Sequence, residues 1–470
     1  MQRTLLRGGH VLSMDPRIGV LRGDVLIEAE TIAAVAPHLE VDDAEVLDVS
    51  GHIVMPGMID THRHTWQTQM RGICGDWTLA DYFYGIRLAI SPAYTAEDVY
   101  LGNRLGALEA LNAGVTTLLD FSHCNNTPEH ADAAVTGLRD AGGRAVFGYG
   151  FFGAPSGSSV HFQGHAERIA DFHRVANSHF SSRDQLVTLG ASLTEYGFLP
   201  FSQTRAEISA ARECDALTVA HLGTTWSLPS GFTELAAAGL LGPDQVQVHC
   251  NTLTDAEFGV LAEAGTKVSI SPETELNMGM GRPVFAQCER HGIKPTLSCD
   301  VISLNTGDLI TQMRFALGFK RWADTEALNL SGGDPTSVST TALQAIEWCT
   351  VNAADAIGMA DRLGSITEGK QADLVVIGNR SVRQRPVLDP ASTVIFQTEP
   401  EDVVHVFVAG KAVKRDGRLV DADMTALGGR AEASAEQILE RVHQTVAELP
   451  GTPPDAAANL GPLITYHLGC

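Results

Sequence analysis

The sequence predicts an α/β protein: a (β/α)8 barrel carrying a small β-sandwich domain made from both ends of the chain. Three observations support this. The first fifty-odd residues and the stretch from about 366 to 425 share a texture of short apolar strands broken by Gly, Asp and Pro. The middle, from about 57 to 365, alternates strand-like apolar runs with helical ones. Several of those apolar runs end on a histidine or an aspartate, where the strand-to-helix loops of such a barrel converge. The expected division is therefore 1–56 and 366–425 for the two parts of the sandwich, 57–365 for the barrel, and 426–470 for a C-terminal helix and tail.

Taken in order, Thr4–Arg7, Val11–Met14, Gly23–Ile27 and Thr31–Val35 read as the first sandwich strands. The apolar run Ile53-Val54-Met55 leads into Pro56-Gly57-Met58-Ile59-Asp60-Thr61-His62-Arg63-His64. Asp98–Ala113 and Ala131–Ala141 read as helices that stop at Gly or Ala-Gly, and the strand–helix rhythm continues to about Ala356. Leu374–Ile377, Val403–Val408 and Lys411–Val413 return to the sandwich texture. Ala431–Leu449 reads as a charged amphipathic helix, broken by Pro450-Gly451-Thr452-Pro453-Pro454.

Composition narrows the class. The 470 residues carry 33 basic and 56 acidic side chains, a net charge of -23, which argues against nucleic acid or an anionic membrane as partner. No apolar run reaches membrane-spanning length, and the N-terminal residues do not read as a signal peptide. Eight cysteines stand singly, with no Cys-x-x-Cys pair, as expected of reduced thiols in a cytoplasmic protein.

The chemistry resides in five polar residues. On a strand, residues two apart share a face, so His62 and His64 aim two imidazoles at one point. Leu217–Ala220 runs into His221, Val246–Val248 into His249, and Pro295–Cys299 into Asp300. Neutral imidazole is the commonest metal ligand. Four histidines and an aspartate at strand ends point to a divalent cation: Zn2+ first, then Fe2+, with Co2+ or Mn2+ able to substitute.

In this order, His-x-His, His, His, Asp, the chain resembles the amidohydrolase superfamily, and within it the branch of cytosine and guanine deaminases, triazine hydrolases, and phenylurea and thiocarbamate hydrolases. Gly57-Met58-Ile59-Asp60 and Lys370-Gln371-Ala372-Asp373-Leu374-Val375 add to the resemblance. It implies a TIM barrel with His62, His64, His221 and Asp300 as metal ligands, and His249 as a ligand or a hydrogen-bond partner. Some relatives bridge two metals with a fourth-strand lysine. The run Leu186–Ser192 has none, so a single metal is expected. The resemblance implies that Asp300 carries a proton from metal-activated water to the leaving group.

One departure matters. Deaminases of this branch place a proton-shuttling glutamate three residues after the fifth-strand histidine, where this chain has Thr224. The expectation is therefore hydrolysis of an amide, urea or carbamate C–N bond in a small molecule. The alternatives are deamination of a purine, pyrimidine or triazine ring, hydrolytic release of halide or thiolate, and a non-catalytic barrel scaffold. Glu275, near a position where relatives carry a substrate-facing asparagine, is a further catalytic candidate. His123, Trp66, Gln67, Glu195, Tyr196, Asn277, Ser303 and Asn305 are candidates to line or support the pocket. A homo-oligomer, most simply a dimer, is expected from the resemblance and from a C-terminal helix whose apolar side needs a surface.

Overall fold

In the computed structural model, residues 3–153, 158–378 and 382–446 are described. Eight parallel strands form one sheet, paired in chain order: Met58–Arg63, Val115–Ser122, Arg144–Gly150, Val187–Ser192, Leu217–Leu222, Gln245–His249, Lys267–Ile270 and Pro295–Leu297. Helices follow most of them, so this is the (β/α)8 barrel. Most strand residues are buried on both faces, which explains the continuous apolar runs. Ile59, Leu119, Phe121, Val146, Val219, Val246 and Val248 form a cluster shared with the short helix Val351–Ala356.

First and last strands meet through a seam rather than a ladder. Asp300 N–H donates to His62 O and His64 N–H to Asp300 O, each at 3.0 Å. Below them Thr61 Oγ1 meets Thr296 Oγ1 at 2.8 Å, and the Asp60 carboxylate accepts from Cys299 N–H at 3.1 Å.

The second sheet has nine strands drawn from both chain ends. Its order is Arg418–Leu419, Lys411–Arg415, Val403–Val408, Leu374–Ile377, Ile53–Pro56, Arg3–Leu12, Val20–Glu28 and Thr31–Ala36, with Glu45–Asp48 also paired to Arg3–Leu12. It has its own apolar core, including Leu6, Val25, Val54, Leu374 and Phe407. The two strands expected at 4–7 and 11–14 are one strand, Arg3–Leu12. Gly8, at φ 79°, makes an irregularity in the pairing between Leu6 and Gly9 rather than a turn.

The helix expected near 431 begins earlier, at Met424, and runs to Val446; the expected tail lies outside the described residues. Its buried residues Leu427, Ile438, Leu439 and Val442 join the main core of this same chain. Ser434 donates to Asp98 and Arg441 to the carbonyl of Ala93, both at 2.6 Å. The apolar side of this helix is therefore covered without a partner subunit, and it no longer argues for a dimer.

Candidate active site

At the C-terminal ends of the strands, one ligand atom from each of His62, His64, His221 and Asp300 falls within 4.8 Å of all the others. The first-strand alternation brings His62 and His64 to this point, as their spacing implies. His62 Nε2 lies 3.1 Å from Asp300 Oδ1 and 3.2 Å from His221 Nε2, and His64 Nε2 lies 3.3 Å from Asp300 Oδ1. Asp300 takes φ 57° and His249 takes φ 74°, a left-handed backbone that non-glycine residues rarely adopt and that concentrates at functional sites.

The outward ring nitrogens are held in turn. His64 Nδ1–H donates to the carbonyl of Phe121 at 3.3 Å, and His221 Nδ1–H to Glu195 Oε1 at 3.2 Å. Each leaves an Nε2 lone pair facing the cluster, the tautomer a metal requires. Burial lowers the pKa of His62 well below the ordinary histidine value and that of His221 to about 4, against the pull of Asp300 and Glu195 respectively. Both imidazoles are therefore neutral near pH 7. Burial alone would raise Asp300, but its contacts with His62 and His64 and the charge of His249 hold it well below the usual carboxylate range. Three imidazoles and one carboxylate, with Asp300 Oδ2 buried and without a hydrogen-bond partner in the protein, are a donor set that suits a divalent cation.

His249 stands beside this group of four. Its Nε2 is 3.8 Å from Asp300 Oδ2, and its Nδ1–H donates to Glu275 at 3.1 Å. Burial opposes its charged form, but Glu275 and Asp300 outweigh burial and raise its pKa.

A cavity of about 650 Å3 opens over His64, His221, His249 and Asp300. Its walls are Tyr82, Phe83, Tyr84 and Arg87 from one segment, with Glu195, Phe198, Thr224, Trp226, Met278 and Met280. A larger cavity, about 780 Å3, lies at the opposite end of the barrel. Its Arg183, Arg212 and Arg362 pair with Asp215, Asp244 and Asp184, and none of the strand-end residues reaches it.

The other sequence candidates divide. Glu195 and Thr224 line the cavity. Glu275 does not; its carboxylate is spent inside the protein on His249, Asn251 Nδ2 at 3.2 Å and Ser271 N–H at 2.9 Å. His123 stacks on His64, ring centres 4.3 Å apart, and accepts at Nδ1 from Trp66 Nε1–H at 2.9 Å. Trp66 is fully buried between His123 and Tyr94 and does not wall the cavity. It can press there because Gly102 on the facing helix leaves room: a Cβ would sit 2.4 Å from the Trp66 carbonyl oxygen. Gln67 donates to Tyr82 Oη at 2.8 Å and accepts from Ser303 Oγ at 2.9 Å, so Gln67 and Ser303 brace the wall from behind. Asn305 bonds to Thr274 Oγ1 and to the Cys299 carbonyl rather than to Asp300. Tyr196 is turned to Gln247, and Asn277 is exposed at a helix end, away from the cavity.

Sequence reasoning missed Tyr82, Phe83 and Arg87. The signal was there: an arginine inside the apolar run Tyr82–Ile90. Arg87 is buried, and it donates to Glu195 at 2.8 Å. Burial would raise Glu195, but the Arg87 charge and His221 hold its carboxyl well below the usual range.

The family model described as "Amidohydrolase family" matches residues 53–413. The chain belongs to the amidohydrolase family. It is 31% identical over 467 residues to a 5-methylthioadenosine/S-adenosylhomocysteine deaminase of Symbiobacterium thermophilum, covering 93% of this chain and 100% of that one. It is 27% identical to a 5'-deoxyadenosine deaminase of Methanosarcina mazei, covering 94% and 100%. Among solved structures it resembles a zinc-bound adenosine deaminase from Xanthomonas campestris, with TM-score 0.80 at 22% identity and coverage of 93% and 98%. It also resembles the zinc complex of atrazine chlorohydrolase from Arthrobacter aurescens, with TM-score 0.81 at 21% identity and coverage of 92% and 100%. As an amidohydrolase, the protein is a metal-dependent hydrolase acting on carbon–nitrogen bonds. Among the described residues, no helix is long and apolar enough to cross a membrane.

Proposed function

We propose that this amidohydrolase uses one metal ion, zinc, to hydrolyse an amide-, urea- or carbamate-type C–N bond in a small, largely apolar molecule. The observation that carries the reading is Thr224 in the cavity wall. Branch deaminases carry a glutamate at that position to protonate the ring, and a threonine hydroxyl is no acid near pH 7. The zinc-bound neighbours and the three-imidazole, one-carboxylate donor set support zinc. When bound, the cation lowers the pKa of coordinated water and polarises the substrate carbonyl.

The protein's own groups do the rest. Asp300, ionised and facing the cavity, takes the proton of the attacking water and delivers it to the leaving nitrogen. His249, held by Glu275, turns its Nε2 edge to the oxygen on which charge develops. Tyr82, Phe83, Phe198 and Trp226 hold the apolar body and limit water around it.

The similarity to curated adenosine-type deaminases favours a second reading, ring deamination of a 5'-substituted adenosine. Zinc-reconstituted protein offered 5'-deoxyadenosine, methylthioadenosine and cytosine, beside anilides, phenylureas and aryl carbamates, separates the two. Turnover of the second group supports the proposal. Deamination with kcat/KM of about 10⁴ M⁻¹s⁻¹ or above overturns it. A cytoplasmic location fits the free thiols of all cysteines among the described residues. A homodimer is supported by exposed Phe315, Trp322 and Phe396, and a light-scattering mass near the 50.1 kDa of one chain rejects it.

A further inference from the structure

Arg87 has more hydrogen-bonding capacity than the protein uses. It sits in the π-helical stretch Phe83–Ile90, is 2% exposed, and lines the cavity. A multi-turn π-helix is rare, and such geometry tends to mark functional sites. Its Nη1 donates to Glu195 Oε1, but its Nε and Nη2 are buried without a hydrogen-bond partner. The guanidinium lies 4.1 Å from the centre of the Phe152 ring, a contact that steadies its plane and satisfies no N–H. Glu195, also on the cavity wall, has the same surplus. Its Oε1 serves both Arg87 and His221, while its Oε2 is buried and unpartnered.

Buried polar groups are satisfied in nearly all native sites, so unmatched ones mark where a ligand or ordered water belongs. Nε–H and Nη2–H lie on one edge of a planar guanidinium and form a two-donor fork. Glu195, held by Nη1 of the same guanidinium, adds a carboxylate oxygen that also lacks a hydrogen-bond partner. The complement is a planar group offering an acceptor next to an N–H. Because Arg87 and Glu195 neutralise each other, a neutral group suits the pair better than a carboxylate.

We infer that Arg87 and Glu195 form a recognition subsite for a neutral lactam, amide or ureido edge, H–N–C=O, with the oxygen on Arg87 and the N–H on Glu195. That this edge belongs to the substrate rests on the proposed C–N hydrolysis. Glu195 also orients His221, so a group held in the subsite is placed at a fixed offset from the metal ligands. Arg87 is thereby a specificity-determining residue.

The test is a binding titration of the zinc-reconstituted protein with three planar probes that resist hydrolysis: 2-quinolone, 1-methyl-2-quinolone and quinoline-2-carboxylate. Binding of 2-quinolone should exceed that of its N-methyl derivative about ten-fold or more, the scale of one hydrogen bond to a charged group. Arg87→Lys and Glu195→Gln, each checked for unchanged melting temperature and zinc content, should remove most of that difference. Equal affinity for the two quinolones, no measurable 2-quinolone binding, or a preference for the carboxylate overturns the inference. Should either variant fail to fold, the comparison of probes on the wild-type protein still decides. Binding without turnover keeps this result separate from the hydrolysis screen, so either can fail alone.

Discussion

In the proposed reaction most of the chemistry converges on Asp300, which belongs to the four-residue cluster and whose carboxyl is held well below the usual range. Asp300→Asn should lower kcat by about 10²–10⁴-fold, the usual scale for a lost general base. Activity within a few-fold of wild type would move the proton transfer elsewhere. Glu275→Gln makes a different point. Glu275 touches His249 and not the cavity, so the variant should lose rate while retaining wild-type metal content and KM. A change in metal content would mean that His249 ligates. At this scale the sequence was most legible where residues end strands, because a strand end fixes direction: His62, His64, His221 and Asp300 came together as their positions implied. Trp66, Gln67, Ser303 and Asn277 lie beyond strand ends, where the chain turns freely. Nothing in their spacing told which side they would face, and Trp66 and Gln67 ended in the packing behind the cavity.

Among the elements, the helix Met424–Val446 has the most unexpected role. It packs on the helix Ala96–Asn112 and on the segments that follow the first barrel strand, including Phe83–Ile90, which lines the cavity. Asp98 is the common anchor, accepting from Ser434 Oγ and capping its own helix through Thr95. Ile438 is fully buried there, so Ile438→Ala should destabilise the protein by about 2–5 kcal/mol. It should also raise KM with metal content unchanged, because the segment it supports lines the cavity and contributes none of the four clustered residues. A melting temperature equal to wild type would show that the helix is dispensable. Its amphipathicity was plain in the sequence, whereas its partner was not: a periodic apolar face demands burial without saying against what. The same limit applies to Gly8-Gly9, read as a break between two strands and found as a bulge within one.

At the scale of the whole molecule, sheet and barrel share one apolar cluster, which includes Leu12, Ile53, Met55, Val375 and Ile377, and polar ties reinforce it. Arg144 on the third barrel strand pairs with Asp373 at 3.2 Å, and Lys414 Nζ donates at 2.6 Å to the carbonyl of Asn112, at the end of a barrel helix. Burial pulls the Lys414 pKa down from 10.5 to about 8. Between those values the unfolded chain binds the proton that the folded one has released, so stability should rise as pH goes from about 8 to 10.5. Lys414→Met should flatten that rise in pH-dependent melting, and an unchanged profile would assign it to other groups.

The metal cluster lies on the seam where first and last strands meet without a ladder, since His62 and His64 are the residues whose backbones bond to Asp300. A cation held by side chains from both sides of that seam, and absent from the unfolded chain, adds to the stability of the closed barrel by mass action. The gain is about 2.7 kcal/mol at a free concentration one hundred times Kd. Chelation should therefore lower the melting temperature, and about one equivalent of zinc per chain should restore it. His62→Ala should fold yet show no zinc-dependent rise. A second equivalent needed for full recovery would break the single-metal reading that the lysine-free fourth strand supports. If chelation emptied the protein of metal without changing its melting point, the cation would not bridge the seam, and these four residues would not be its ligands.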